Sequence, residues 1–260
     1  MQEIILLFLL ALLPVILLGL YTYSKDRNKE PKRLLLKLFF SGFLSVALTL
    51  IISLFLRKIF PLFSGETSNF GPIELFIYTF IFVAFIEEIS KFIMVYKVGY
   101  NNKEYDQLYD MIVYAVFVTL GFAWIENILY VFQGGISTAI TRLLFAVPGH
   151  VADAVFMGYY LSLTKLADIN KDKKSKNKYL FLSIFIPTIL HGIYDFLVYS
   201  SNYIFVIIFF IFIIVLFTKA RKKIKQMADM KVVLIKKYCP NCGTFVEHCS
   251  FCQNCGNKII

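Results

Sequence analysis

The chain has 260 residues, 58% hydrophobic and 17% charged, with 27 Lys+Arg against 17 Asp+Glu and a formal net charge of +10. Its mean hydropathy is +0.70. A soluble domain carries roughly 45–50% apolar and about 25% charged residues, so a water-soluble globule would leave much apolar surface uncovered. Apolar runs near 20 residues recur along the chain, the length that crosses the hydrocarbon core of a bilayer. These runs do not alternate apolar with polar residues, which excludes an outer-membrane barrel. The composition describes an all-α polytopic membrane protein. Its basic residues sit in short connections where they fix topology, so nucleic acid is not the implied partner.

In chain order, the hydropathy predicts seven transmembrane segments, at about 4–23, 34–56, 73–96, 111–132, 140–164, 179–199 and 203–218. The first lacks a basic leader and a small-residue cleavage site, so it reads as a helix and not as a signal peptide. Alternate connections are basic. Lys25, Arg27, Lys29, Lys32 and Arg33 follow the first segment, and Lys97 and Lys103 the third. Lys165, Lys171, Lys173, Lys174, Lys176 and Lys178 follow the fifth; Lys219, Arg221, Lys222, Lys223 and Lys225 follow the seventh. The opposite connections hold only Arg57 and Lys58. An excess of Lys and Arg marks the cytoplasmic side, so the N-terminus is expected outside and the C-terminus in the cytoplasm.

Beyond the last segment the composition changes. The expected division is a transmembrane domain over 1–218, a basic linker over 219–237 and a small cytoplasmic module over 238–260. All five cysteines fall between 239 and 255, in Cys239-Pro240-Asn241-Cys242-Gly243, Cys252-Gln253-Asn254-Cys255-Gly256 and the surplus Cys249. Two C-x-x-C knuckles, each trailed by Gly, predict a zinc ribbon with a structural zinc on Cys239, Cys242, Cys252 and Cys255. Cys249 also makes a C-x-x-C with Cys252, but the chosen pairs are the ones that both carry the Gly. So short a module has almost no core, and metal is expected to supply its folding energy.

Charges at bilayer depth are costly and mark function. Lys37 lies one turn inside a helix end, where it snorkels, and Glu74 sits at an outer end. The third segment carries Glu87-Glu88-Ile89-Ser90-Lys91. Lys91 reaches either carboxylate at i, i+4 or i, i+3, which leaves one carboxylate over. The fourth carries Glu126-Asn127, the fifth His150 with Asp153 one turn on, and the sixth His191 with Asp195 at i, i+4. At about 1.5 Å per residue, Glu126, His150 and His191 fall roughly 9–15 Å below the outer ends of their segments, and the glutamate pair nearer the midplane. Four helices thus bring carboxylates and imidazoles into one layer.

Glu87-Glu88-x-x-Lys91, Gly121-Phe122-Ala123-x-x-Glu126-Asn127-x-x-Tyr130, Arg142 through His150, and His191-x-x-x-Asp195 together resemble the PrsW family of intramembrane proteases. This family belongs to the clan of CAAX prenyl and bacteriocin-processing proteases. Glu30-Pro31 is similar to the family's entry to its second helix, and the likeness covers about residues 15–200. It departs where the family opens its fourth helix with Asp-Gly and a second small residue: here stand Asp110-Met111 and Tyr114-Ala115, so the helix spacing is in question. The resemblance implies cleavage of a membrane-anchored protein substrate, an anti-sigma factor in the best-known case, in a prokaryotic cell membrane. It assigns functional roles to Glu87, Glu88, Glu126, His150 and His191, with Asp195 at the last polar position and Lys91 and Asn127 in support. The zinc ribbon lies outside the protease core, and its partner is not readable.

Peptide hydrolysis in a membrane needs a sheltered water, a base and an oxyanion donor. Glu87 or Glu88 with Glu126 and His150 would activate the water, and His191 would donate to the oxyanion with its tautomer fixed by Asp195. The same ligands could hold a catalytic zinc, but the sequence lacks a compact metal motif such as H-E-x-x-H, so a glutamate-activated water is the favoured expectation. The alternatives are a non-catalytic membrane scaffold of the same fold and a proton or ion transporter.

Overall fold

The computed structural model describes residues 2–65, 67–200, 202–230, 237–238, 241–242, 244–246 and 251–258. Eight α-helices dominate: α1 Gln2–Lys25, α2 Lys32–Ile59, α3 Pro72–Ile77, α4 Ile86–Val95, α5 Asp110–Thr141, α6 Val147–Ile169, α7 Lys173–Tyr199 and α8 Tyr203–Asp229. In lipid every backbone N–H and C=O must find its partner within the segment, and helices achieve that. Strands β1 (Lys237–Tyr238) and β2 (Phe245–Val246) pair antiparallel in the C-terminal module. The basic stretch after 218 opens as a continuation of α8.

Among the described residues, five helical stretches are long and apolar enough to cross a membrane. One of them, 110–169, is not a single rod. Asn127 and Arg142 would lie about 22 Å apart along a straight helix, yet their side chains bond at 2.8 Å. The chain reverses at Gly135, whose φ of 69° and ψ of −159° lie in a region open essentially only to glycine. The third expected segment is helical from 72 to 100, but it passes through π-helical stretches at Tyr78–Phe85 and Tyr96–Tyr100 that flank α4. A third π-helical stretch, Arg142–Ala146, precedes α6. Such turns are rare and recur at functional sites.

Helices α5 and α6 form the centre. Every residue from Asp110 to Val116 is buried, as expected of a helix that is apolar all round. Helices α1, α2 and α7 pack around this pair, α8 packs on α6 and α7, and α7 also packs on the Tyr78–Phe85 turn. The outward faces of α1, α2 and α8 expose Leu17, Leu20, Ile51, Leu54, Ile211 and Ile214, which is the surface lipid would cover. Two crossings are close enough to require glycine. A Cβ on Gly121 would lie 1.9 Å from the carbonyl oxygen of Phe39 in α2, and one on Gly158 would lie 2.5 Å from Cα of Ile112. The small residue missing from the start of α5 is therefore supplied by α6, across the same interface.

Candidate active site

Helix α4 is amphipathic, and its buried side carries Glu87, Glu88 and Lys91 together. Lys91 Nζ lies 2.8 Å from Glu88 Oε1 and 3.2 Å from Glu87 Oε2, with the Phe122 ring centroid 4.1 Å away. From α6, His150 places Nδ1 3.4 Å from Lys91 Nζ and Nε2 2.8 Å from Glu126 Oε2. From α7, His191 places Nδ1 3.0 Å from Glu88 Oε1 and Nε2 3.4 Å from Asp195 Oδ2 and 3.8 Å from Glu87 Oε2. The two imidazole rings meet edge to face at 5.0 Å. The carboxylate left over by the Lys91 pairing is thus met by imidazole: both glutamates of α4 face His191 as well as the ammonium.

All six residues singled out for catalysis come together here, and the two supporting ones adjoin them. Asn127 reaches the other way: its amide donates to the Ala11 carbonyl of α1 at 2.8 Å, and its oxygen accepts from Arg142 Nε at 2.8 Å. Arg142 Nη2 also pairs with Glu126 at 3.0 Å, and its guanidinium stacks 4.3 Å from the Tyr130 ring centroid. Arg142 had been legible only as the start of a motif. A lone cation just inside the uncharged end of a segment was the available signal. Asp153 does not orient His150, whose nitrogens are engaged by Lys91 and Glu126. It is buried instead beside Glu88, His150 and His191, where ligand atoms of all four lie within 4.8 Å of one another.

A cavity of about 280 Å³ reaches this cluster. Glu87, Glu126, His150, Asp153, His191 and Asp195 line its inner part, whereas Glu88 and Lys91 lie behind the wall. Ser137, Thr138 and Thr141 of the α5–α6 hairpin and Tyr199 at the end of α7 also line it. The cavity therefore runs toward the end of the bundle that lacks basic connections. Polar where the carboxylates and imidazoles line it and apolar where Val83, Ala146 and Val198 do, it has room to shelter water.

A sequence model described as "PrsW family intramembrane metalloprotease" matches residues 30–218. The chain belongs to the PrsW family. Protease PrsW of Clostridioides difficile is 34% identical over 216 residues, 81% of this chain and 86% of that one. Protease PrsW of Oceanobacillus iheyensis is 34% identical over 222 residues, 85% of this chain and 95% of its own length. Protease PrsW of Bacillus subtilis is 33% identical over 222 residues, covering 84% and 95%. No solved structure matches the chain. As a PrsW protein, the molecule is an integral membrane protein and an intramembrane peptidase, and a buried Glu/His cluster is present among its described residues.

In the C-terminal module, ligand atoms of Cys242, Cys252 and Cys255 lie within 4.8 Å of one another. Cys242 Sγ and Cys252 Sγ are 3.6 Å apart, and Asn254 Nδ2 points at Cys242 Sγ from 3.8 Å. Cys239, the expected fourth ligand, and the surplus Cys249 lie outside the described residues.

Proposed function

We propose that the Glu/His cluster hydrolyses a peptide bond of a membrane-anchored protein that enters from the uncharged end of the bundle. The observation that carries this is the cavity of about 280 Å³, which Glu87, Glu126, His150, His191 and Asp195 line together. Glu87 and Glu126 present carboxylates to it from two helices and are the bases for an attacking water. His191 lies between two carboxylate acceptors, Nδ1 facing Glu88 and Nε2 facing Asp195; held there as the imidazolium, in which both nitrogens donate, it keeps Nδ1–H on Glu88 and shares Nε2–H between Asp195 and the oxyanion of the intermediate. Lys91 balances the paired carboxylates from behind, and Arg142 holds Glu126 in line with His150.

The family description names a metalloprotease, and the donors fit a metal. Glu88, His150, Asp153 and His191 offer two carboxylates and two imidazoles, a set suited to zinc, and Glu88 Oε2 and Asp153 Oδ1 are buried with no hydrogen-bond partner among the described residues. The four come from three helices, so a lack of compact spacing in the sequence carries no weight against a metal. Bound there, zinc would polarise the scissile carbonyl or lower the pKa of a water. The carboxylates facing the cavity would move the proton in either case.

The same reading has seven crossings, the N-terminus outside and the C-terminus cytoplasmic. It is supported by basic residues at one end of the bundle and by the reversal at Gly135. The division at 218 and a structural zinc in the ribbon belong to it too, supported by the three gathered thiols. A single-span anti-sigma factor is the substrate that the family resemblance suggests. The test is cleavage in vesicles of a single-span protein, with the cut mapped by mass spectrometry. A cut in the half of the span nearer the outer face is expected, and a cut confined to the cytoplasmic half would overturn the entry route.

A further inference from the structure

A second concave site lies at the opposite, basic end of the molecule. The last turn of α1 and the last turns of α8 diverge there around a crevice of about 390 Å³. Arg221, Lys225 and Asp229 follow one another at i, i+4 and i+8, so they share one face of α8. Lys25 and Arg27 stand opposite them, and Tyr21, Ile224 and Ala228 complete the walls. Among the described residues, the one carboxylate lining the crevice is Asp229, and it is paired with Arg27 at 3.5 Å. Lys25, Arg221 and Lys225 have no carboxylate within ion-pair distance among the described residues. Cations at i, i+4 on one helix repel, and here a third faces them from the neighbouring helix.

Topology alone does not account for this convergence. The basic-end rule needs cations in the connection, and exposed Lys219 and Lys222, which point away from the crevice, satisfy it equally. The faces above the crevice are apolar: Leu17 and Leu20 on α1 and Ile211 and Ile214 on α8 are all more than half exposed. The composite is a cationic cup at interface depth with lipid-facing walls above it.

We propose that this crevice binds an anionic phosphate group, and that its source is the headgroup of an anionic phospholipid whose acyl chains run along the exposed faces of α1 and α8. The guanidinium of Arg221 with the ammoniums of Lys25 and Lys225, and Arg27 beside them on Asp229, suit a phosphodiester, because arginine binds phosphate oxygens bidentately. Basic pockets between transmembrane helices are where such headgroups settle.

The test uses the full-length protein in neutral detergent, titrated with phosphatidylglycerol or phosphatidylcholine and read by native mass spectrometry. One phosphatidylglycerol per chain should be retained, in preference to phosphatidylcholine. Each basic side chain near an anionic headgroup is worth about fivefold in affinity. The double variant Arg221→Gln, Lys225→Gln should therefore bind roughly thirtyfold more weakly, while the double variant Lys219→Gln, Lys222→Gln, with the same charge change, should bind as wild type. Arg27→Gln reads the same site from α1 should the α8 variant fail to fold, and should weaken binding about fivefold. Equal losses in both double variants would show diffuse surface charge and overturn the site. Inorganic phosphate displacing the lipid at equal concentration would overturn the lipid as the source.

Discussion

Two carboxylates side by side on an apolar helix repel each other, and burial leaves them little water to screen the repulsion. Lys91 sits between them, fully buried, 2.8 Å from Glu88 and 3.2 Å from Glu87. Replacing it with methionine keeps the volume and removes the charge. Breaking a buried ion pair by deleting one partner costs about 3–5 kcal/mol, so Lys91→Met should lower the unfolding free energy of the detergent-solubilised protein by that much. Adding Glu88→Gln should restore a large part of the loss. A Lys91→Met variant as stable as wild type would mean that the ammonium does not balance the pair. This pairing was legible because i, i+3 and i, i+4 neighbours meet on any helix. The Arg142–Glu126 pair was not, because 16 positions and a reversal of the chain separate its members. No periodicity encodes that contact.

At the scale of elements, the apolar segments fall within helices because lipid permits little else. What hydropathy cannot register is a π-helical turn, since adding one residue to a turn leaves the mean apolarity unchanged; the turns before Glu87 and His150 went unread for that reason. The reversal at Gly135 was legible as a polar gap but not as a residue. Gly135→Ala places a Cβ where φ is 69°, which costs about 1–3 kcal/mol. Because that hairpin carries Arg142 to Glu126, cleavage should fall by more than the stability loss explains, as measured by initial rate against unfolding midpoint. An unaltered rate would separate the hairpin from the site.

The connection between α1 and α2 makes a different prediction. Glu30 is buried there and desolvation raises its carboxyl to about 8. Asp26, also buried, is raised to about 6 for the same first reason. Asp106 and Asp110 face the pair from the start of α5, and Lys29 is the cation beside it. A carboxyl whose folded pKa is raised stabilises the fold below its unfolded value, and that stability is lost as pH rises through the folded value. The unfolding midpoint should therefore fall between about pH 4.5 and pH 8, as Glu30 ionises. Glu30→Gln should flatten this slope and leave the protein more stable than wild type at pH 8. A slope unchanged in Glu30→Gln would place the titration elsewhere.

Across the whole molecule, two kinds of chemistry are kept apart. The buried cluster opens toward the uncharged end, and the cysteine module follows the basic end of α8. Its spacing was legible because thiol ligands recur at fixed intervals, whereas the donors around Glu88 come from three helices with no common interval. A soluble module beyond the last helix supplies nothing at bilayer depth. The full-length variant Cys242→Ser, Cys252→Ser, Cys255→Ser should thus lose about one zinc per chain by elemental analysis and still cleave substrate at the wild-type rate. Loss of cleavage in a stable, inserted variant would give the module a part in turnover.

The most direct test of the account is the initial rate of peptide-bond cleavage in reconstituted vesicles, compared among wild type, Glu87→Gln and His191→Ala, with insertion and folding verified for each. General acid–base help is worth about 10²–10⁴-fold, so each substitution should reduce the rate by at least about a hundredfold while the protein stays folded. Wild-type rates in both folded variants would contradict hydrolysis at this cluster and leave the fold as a membrane scaffold or a proton pathway.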